Sequence, residues 1–421
     1  MASVLVPCRR SGGVWASPAC AELDSRDTFE CLYLAWYFEI DFNMASKTLV
    51  NPIMLRWARQ RSGISLSEFA RKCGKTESVL HSWESGEKPL TFVQAQKFAS
   101  VAHVPFGYLF LHQPPEETLP IPDLRTIGDR EVGQPSGELL DLIKLTLQRQ
   151  EWYKEYLISE LCDPCSVVGC VSIDWGVDDI VNSMRQHLKI PAFPTRGNSD
   201  EYYRELVKRI ESLGILVMRE SYFEHHTRPF NVEEFRGFAI ADKYAPIVFV
   251  NHADAPGPRV FTLIHELCHI WMGISGVSDN SEDSHRDTEQ KCNAVAAQFL
   301  VPKQEFFSCW NQEVKWENNL PVLEAHFRVS KWVIARRALT FELVTKQEYW
   351  QYVSNQAELW RNREKTGAPS WYRTKNAQVS SNFSKAVISQ AFNGHLMLRD
   401  AGQLLGVKPS NIRKFASEVG F

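Results

Sequence analysis

The stretch FTLIHELCHIWMG, Phe261 to Gly273, is apolar almost throughout, yet it carries two histidines four residues apart and a glutamate after the first. On a helix His265 and His269 share one stripe with Thr262. Ile264, Leu267, Cys268, Ile270 and Trp271 surround that stripe, and a helix apolar nearly all round is a buried one. A bare carboxylate in such a place costs roughly several kcal/mol or takes up a proton. A zinc ion resolves the conflict. His265 and His269 supply two nitrogens, and Glu266 stands beside the ion as general base for water.

A third ligand is sought downstream. Glycine and histidine three and six residues after the second histidine would mark a metzincin, but Met272 and Ser275 stand there. The segment SDNSEDSHRDTEQKCNAVAAQFLVP follows instead. Its helical part places Cys292, Val295, Ala296, Phe299 and Leu300 on a core side, stopped by Pro302. Glu289 lies on or beside that face, a second carboxylate needing a partner, and is the preferred third ligand with water as the fourth. His285 is the alternative. Asp279, Glu282, Asp283 and Asp287 share its polar loop. Asn293, one turn after Glu289, either orients a ligand or is an ordinary polar helix position.

Upstream, glycines punctuate a series of short helices. Pro52 to Arg61 stops near Gly63. Ser65 can cap SLSEFARKC, which ends at Gly74, and Thr76 can cap ESVLHSWESG, which ends at Gly86. TFVQAQKFASVA then aligns Phe92, Ala95, Phe98, Ala99 and Ala102. Two short helices around a glycine turn make a helix-turn-helix, whose second helix enters the major groove. Residues 51–90 carry seven basic against four acidic side chains, a local surplus of three. The chain as a whole is at −3, so attraction to nucleic acid has to be local.

The 421 residues, 44% hydrophobic and 23% charged, suit two or three domains of ordinary globular composition. No apolar run reaches membrane-span length. Most cysteines sit in apolar segments, as in a reducing, cytoplasmic setting. Cys162, Cys165 and Cys170 lack a second pair or nearby histidine to complete a metal site, and His225-His226 reads as solvated. Residues 1–43 read as a leader foreign to the rest, with Met44 as the expected natural start. The further division is 44–112 for the helix-turn-helix domain, 113–137 for a Pro/Gly-rich linker, 138–225 for helical connections, 226–305 for the metal-site core and 306–421 for a helical C-terminal region. GILVMRE and the two runs of GFAIADKYAPIVFVN read as strands, the latter as a hairpin.

SLSEFARKCGKTESVLHSWESGEKPLT with AHVPFGYLF resembles the lambda-repressor-like (XRE-type) helix-turn-helix family. That resemblance implies operator DNA contact through Lys75, Thr76, Glu77, Ser78, Val79, His81 and Ser82. Leu66 stands where the family usually has glutamine, and the second helix offers no Arg or Lys to a guanine edge. FRGFAIADKYAPIVFVN, HELCH and EQKCNAVAAQFLVP together resemble the ImmA/IrrE-type metallopeptidase family. This implies an α+β, mostly α chain: an all-α helix-turn-helix, a thermolysin-like minimal peptidase with a small sheet, and a helical C-terminal part. It implies Zn2+ on His265, His269 and Glu289, with Glu266 as catalytic base. The protein substrate would be a repressor or a toxin–antitoxin partner, as in a stress or mobile-element regulator, and an extended substrate would pair along Ile247 to Asn251. A homodimer is compatible with the helix-turn-helix. The rival expectation is a non-enzymatic, antitoxin-like DNA-binding repressor with a structural or vestigial zinc site.

Overall fold

The computed structural model describes residues 48–122, 135–278, 287–361 and 371–421. The expected leader, 1–43, lies outside them, as do 123–134 of the linker. The chain forms two compact units that divide after Pro115.

The first unit contains α1 (Pro52–Arg61), α2 (Leu66–Cys73), α3 (Glu77–Glu84), α4 (Phe92–Ala102) and a 3-10 turn, Phe106–Phe110. Local chemistry sets the boundaries. Ser65 accepts from the Glu68 amide to start α2, and Gly74 ends it at φ 68°. Thr91 and Gln94 form a reciprocal capping box on α4. Thr76 departs from expectation: its hydroxyl meets Ser78 Oγ at 3.1 Å rather than capping an amide. The apolar stripes of all four helices meet at Leu55, Phe69, Leu80, Trp83, Phe98 and Leu109. Phe92 does not join them. It is 44% exposed, at the first position of α4, and its ring packs edge-on against Phe106.

The second unit is built on a four-stranded sheet of order β1-β3-β2-β4. The strands are β1 (Leu216–Glu220), β2 (Gly237–Ile240), β3 (Ile247–Asn251) and β4 (Gly276–Ser278). β2 and β3 form the expected antiparallel hairpin, with Phe238 opposite Phe249. β1 pairs parallel to the other side of β3, with Met218 opposite Phe249. β3 is therefore an inner strand. The expectation that Ile247 to Asn251 offers a free edge to substrate is corrected: both its edges are already paired.

Side chains alternate across this sheet with period two. Val217, Ala239, Val248 and Val250 face one core, which they share with α6 (Val177–Leu188), α7 (Ser199–Ser212), α8 (Pro256–Met272) and α9 (Asp287–Leu300). α10 (Lys303–Cys309), α11 (Trp316–Phe327), α12 (Lys331–Thr340) and the start of α13 (Lys346–Arg361) complete that layer. Leu216, Met218, Phe238, Ile240 and Phe249 face the opposite core. There they meet α5 (Gly137–Ser159), α15 (Ser381–Phe392), α16 (Leu398–Leu405) and α17 (Ile412–Val419), while α14 (Trp371–Gln378) packs beside β1 and α17. The C-terminal region thus divides between the two faces of one sheet.

Candidate metal centre and helix-turn-helix

α8 starts where Pro256 and Pro258 permit a first turn without their missing amides, and it ends at Gly273 in the left-handed conformation. Its last carbonyls are met from outside: the Gly169 amide donates to Ile270 O at 3.0 Å and the Val171 amide to Trp271 O at 3.2 Å. That is what the cysteine-bearing loop does. Cys165 donates its thiol to Leu213 O, and Cys162 is exposed. His225 and His226 are exposed as well.

His265, Glu266 and His269 are 0% exposed and Glu289, on the first turn of α9, is 1% exposed. His265 Nε2 lies 3.1 Å from Glu289 Oε2 and 3.3 Å from His269 Nε2, and His269 Nε2 lies 3.1 Å from Glu289 Oε1. The two imidazoles and the carboxylate converge on one point. His265 Nδ1 is 3.1 Å from Asn293 Oδ1; that oxygen only accepts, so Nδ1 donates and Nε2 keeps its lone pair toward Glu289. Asn293 thereby orients the ring.

The electrostatics agree with a cation. Burial alone would raise the Glu289 carboxyl, but hydrogen bonds and positive charge from the two histidines, when these are protonated, outweigh burial and lower its pKa to about 2; with neutral histidines that compensation falls to a cation. Burial lowers the His265 pKa, favouring the neutral, ligating imidazole. Glu289 Oε1 accepts no well-angled hydrogen bond although His269 Nε2 is close, and Glu266 Oε1 has no partner. Lone pairs facing one another in a dry site are what a divalent ion compensates. Cys292 also brings its sulfur within 4.8 Å of the histidine nitrogens. Burial and then the neighbouring Cys268 push its thiol well above the ordinary value, so Glu289 is the anionic donor of the two. The residues present therefore fit a metal ion held by His265, His269 and Glu289. Of the alternative ligands, Asp287 is exposed, and Asp279, Glu282, Asp283 and His285 lie outside the described residues.

Glu266 differs from Glu289. Burial, then the Glu289 charge, raises its pKa well above the usual carboxylate range. Ser278, from β4, donates to its Oε2 at 3.3 Å. Gly237 of β2 presses against the other oxygen: a Cβ there would stand 2.7 Å from Oε1. Ser278 and Gly237 were not legible as site residues, because a three-residue strand shows no alternation and a strand glycine reads only as a weak point. The outward amide of β4, Val277 N, donates to Pro122 O at 3.0 Å, so the edge strand nearest Glu266 is engaged by the chain itself. A cavity of about 630 Å3 reaches Asn293 from the α9 and α12 side.

On α3, Glu77, Ser78 and His81 are exposed, as are Lys75 and Thr76 before it, while Val79 is half-buried. Ser82 is corrected as an outward residue. It is 7% exposed and donates to Val79 O at 2.7 Å, because the end of α3, Ser82 to Glu84, is covered on more than one side. Glu84 accepts both arms of Arg59, at 2.6 and 3.0 Å, which locks α3 to α1.

Comparison with known families gives three matches. Residues 210–339 match the peptidase family model described as IrrE N-terminal-like domain, a span wider than the motif-bearing stretch. Residues 55–109 match a helix-turn-helix model, and residues 379–418 match a domain of unknown function, DUF8813. No curated protein matches the chain. The helix-turn-helix match supports DNA binding, and among the described residues no helix is long and apolar enough to cross a membrane. One chain thus joins a helix-turn-helix domain to a peptidase-type IrrE N-terminal-like domain.

Proposed function

We propose that this protein is a zinc-dependent metallopeptidase of the cytoplasm, joined to an operator-binding helix-turn-helix, that cleaves a regulatory protein such as a repressor or toxin–antitoxin partner. The convergence of His265 Nε2, His269 Nε2 and the Glu289 carboxylate beside Glu266 carries this reading. Zn2+ held by those three residues would supply Lewis-acid polarisation of a carbonyl and acidify water. Glu266, whose Oε1 has no partner, would take a proton from the attacking water and pass it to the leaving amine. Ser278 fixes the other oxygen. Asn293 keeps the His265 ring in its ligating tautomer.

The test is Glu266→Gln. The variant should keep its zinc by elemental analysis and lose cleavage of a co-expressed regulator, which it would then retain in a pull-down. Undiminished cleavage would remove Glu266 from the chemistry. A second reading is favoured by one observation, the complete burial of all four site residues: a DNA-binding repressor whose metal is structural. It requires that wild type and Glu266→Gln leave every captured partner intact while removal of zinc abolishes operator binding.

A further inference from the structure

The first turn of α8, at the opposite end of that helix from Gly273, forms one wall of a second cavity of about 600 Å3. None of the metal donors lines it. Its walls carry four arginines: Arg204 from α7, Arg219 from β1, Arg259 from α8, and Arg328 from the turn between α11 and α12. Among the described residues, Asp200 is the one acid in the lining. The carboxylate of nearby Asp254 is taken by Arg236 at 3.0 Å.

The partners of these arginines satisfy donors without cancelling charge. Arg204 Nε donates to Asp200 O, Arg219 Nε to Ala377 O, and Arg259 Nε and Nη2 to the carbonyls of Asp254 and His252. Arg328 Nε is buried and has no partner. The contrast within the same unit is Arg228, whose guanidinium meets the carboxylates of Glu138 and Asp141. Three cations held by carbonyls and a fourth with a buried, unpartnered Nε, set around a concave space, leave donors and positive charge for an incoming anion. Burial, and then Arg259 and Arg219, lower the His252 pKa well below its ordinary value. His252 therefore adds a neutral ring, 3.2 Å from the Tyr203 hydroxyl. Tyr203 and Val260 give the cavity apolar surface.

We propose that this cavity is a binding site for a phosphate-bearing small molecule. Guanidinium forks match tetrahedral phosphate oxygens in pairs, and the volume falls in the roughly 300–1,000 Å3 range of small-molecule sites. The occupant would rest on the turn Pro256 to Val260, which continues directly into His265, Glu266 and His269. The close approach of Gly257 to Ser330, where a Cβ would meet Oγ at 2.6 Å, ties that turn to the loop carrying Arg328. This site goes beyond the peptidase reading and does not depend on it.

The experiment is thermal unfolding of the full chain with three additions: inorganic pyrophosphate, adenosine monophosphate, and sodium chloride at matched ionic strength. One or both phosphates should raise Tm beyond the chloride control. A larger effect of pyrophosphate would identify an inorganic-anion site, and a larger effect of the nucleotide an organic ester with its body on Tyr203. Arg204→Gln and Arg328→Gln should each weaken the apparent affinity by about tenfold, the loss of one charged hydrogen bond. Arg204 is exposed, so its variant retains the fold. The proposal is overturned if neither phosphate exceeds matched chloride, or if both variants respond as the parent does.

Discussion

Gly237→Ala gives a direct measure of how tightly the sheet holds Glu266. The added Cβ would stand 2.7 Å from Glu266 Oε1, 2.8 Å from the Phe249 carbonyl oxygen and 2.8 Å from Thr262 Cγ2. Ordinary van der Waals contact begins at 3.4 Å, so the three contacts are short by 0.6–0.7 Å. Two of the obstacles cannot yield cheaply. Phe249 O belongs to the backbone of the inner strand, paired on both sides, and Thr262 sits on α8 in the core. Overpacking of this kind costs about 1–3 kcal/mol, and the backbone obstacle argues for the upper part of that range. At about 2–4 °C per kcal/mol for a domain of this order, Tm of the second unit should fall by roughly 5–10 °C in calorimetry of the full chain. The carboxylate is the softest neighbour and would be displaced, and misplacement approaching 1 Å lowers a catalytic rate by up to about a hundredfold. Gly107→Ala is the control: nothing lies within 4 Å of its Cβ position. A Gly237→Ala protein melting within about 1 °C of its parent would show that the helix and sheet are loosely apposed, and the reasoning would fail.

Two further outcomes are expected. Asn293→Ala should leave the fold intact but lower metal affinity by about 10–100-fold in a chelator competition, since it removes the acceptor that orients His265; unchanged affinity would make Asn293 a bystander. Burial raises the Glu211 carboxyl even though Ser380 Oγ and the Ser381 amide donate to it. Its folded pKa lies above its unfolded one, so its stabilisation is complete below the unfolded value and is lost as pH rises through the folded value. Glu211→Gln carries no titrating proton, so plots of Tm against pH for parent and variant should diverge as pH rises through that window; parallel curves would contradict the shift.

Local chemistry wrote much of this structure into the sequence. Ser65, Gly74 and Pro52 mark helix ends because caps and breakers act within a few residues. The buried helix α8 is readable because an apolar surround makes His265, Glu266 and His269 incongruous, and the same logic on the next helix singles out Glu289, which the structure brings within 3.1 Å of both histidines. What stayed hidden was non-local. The parallel pairing of β1 with β3 joins residues some thirty positions apart and leaves no turn signal, so from sequence alone the hairpin's strand reads as an edge. Gly237 and Ser278 acquire meaning only once β2 and β4 are laid beside α8. Ser82 and Phe92 fail for a smaller reason: a helix wheel gives a face its direction to within one residue, and these two lie at its margin.

The Arg59–Glu84 lock changes how the charge of the first unit counts toward DNA. Association with a duplex releases counterions, and log K falls with log salt by about 0.9 per phosphate neutralised. A guanidinium spent on a buried carboxylate neutralises no phosphate. Arg59 thus drops out of the seven basic residues between 51 and 90 as a possible contributor to that slope, and it serves instead as the hinge pin that presents α3. Ionic strength would report on the remaining cations, while the seat of α3 on α1 is set by a bond that salt in the surrounding solution scarcely reaches.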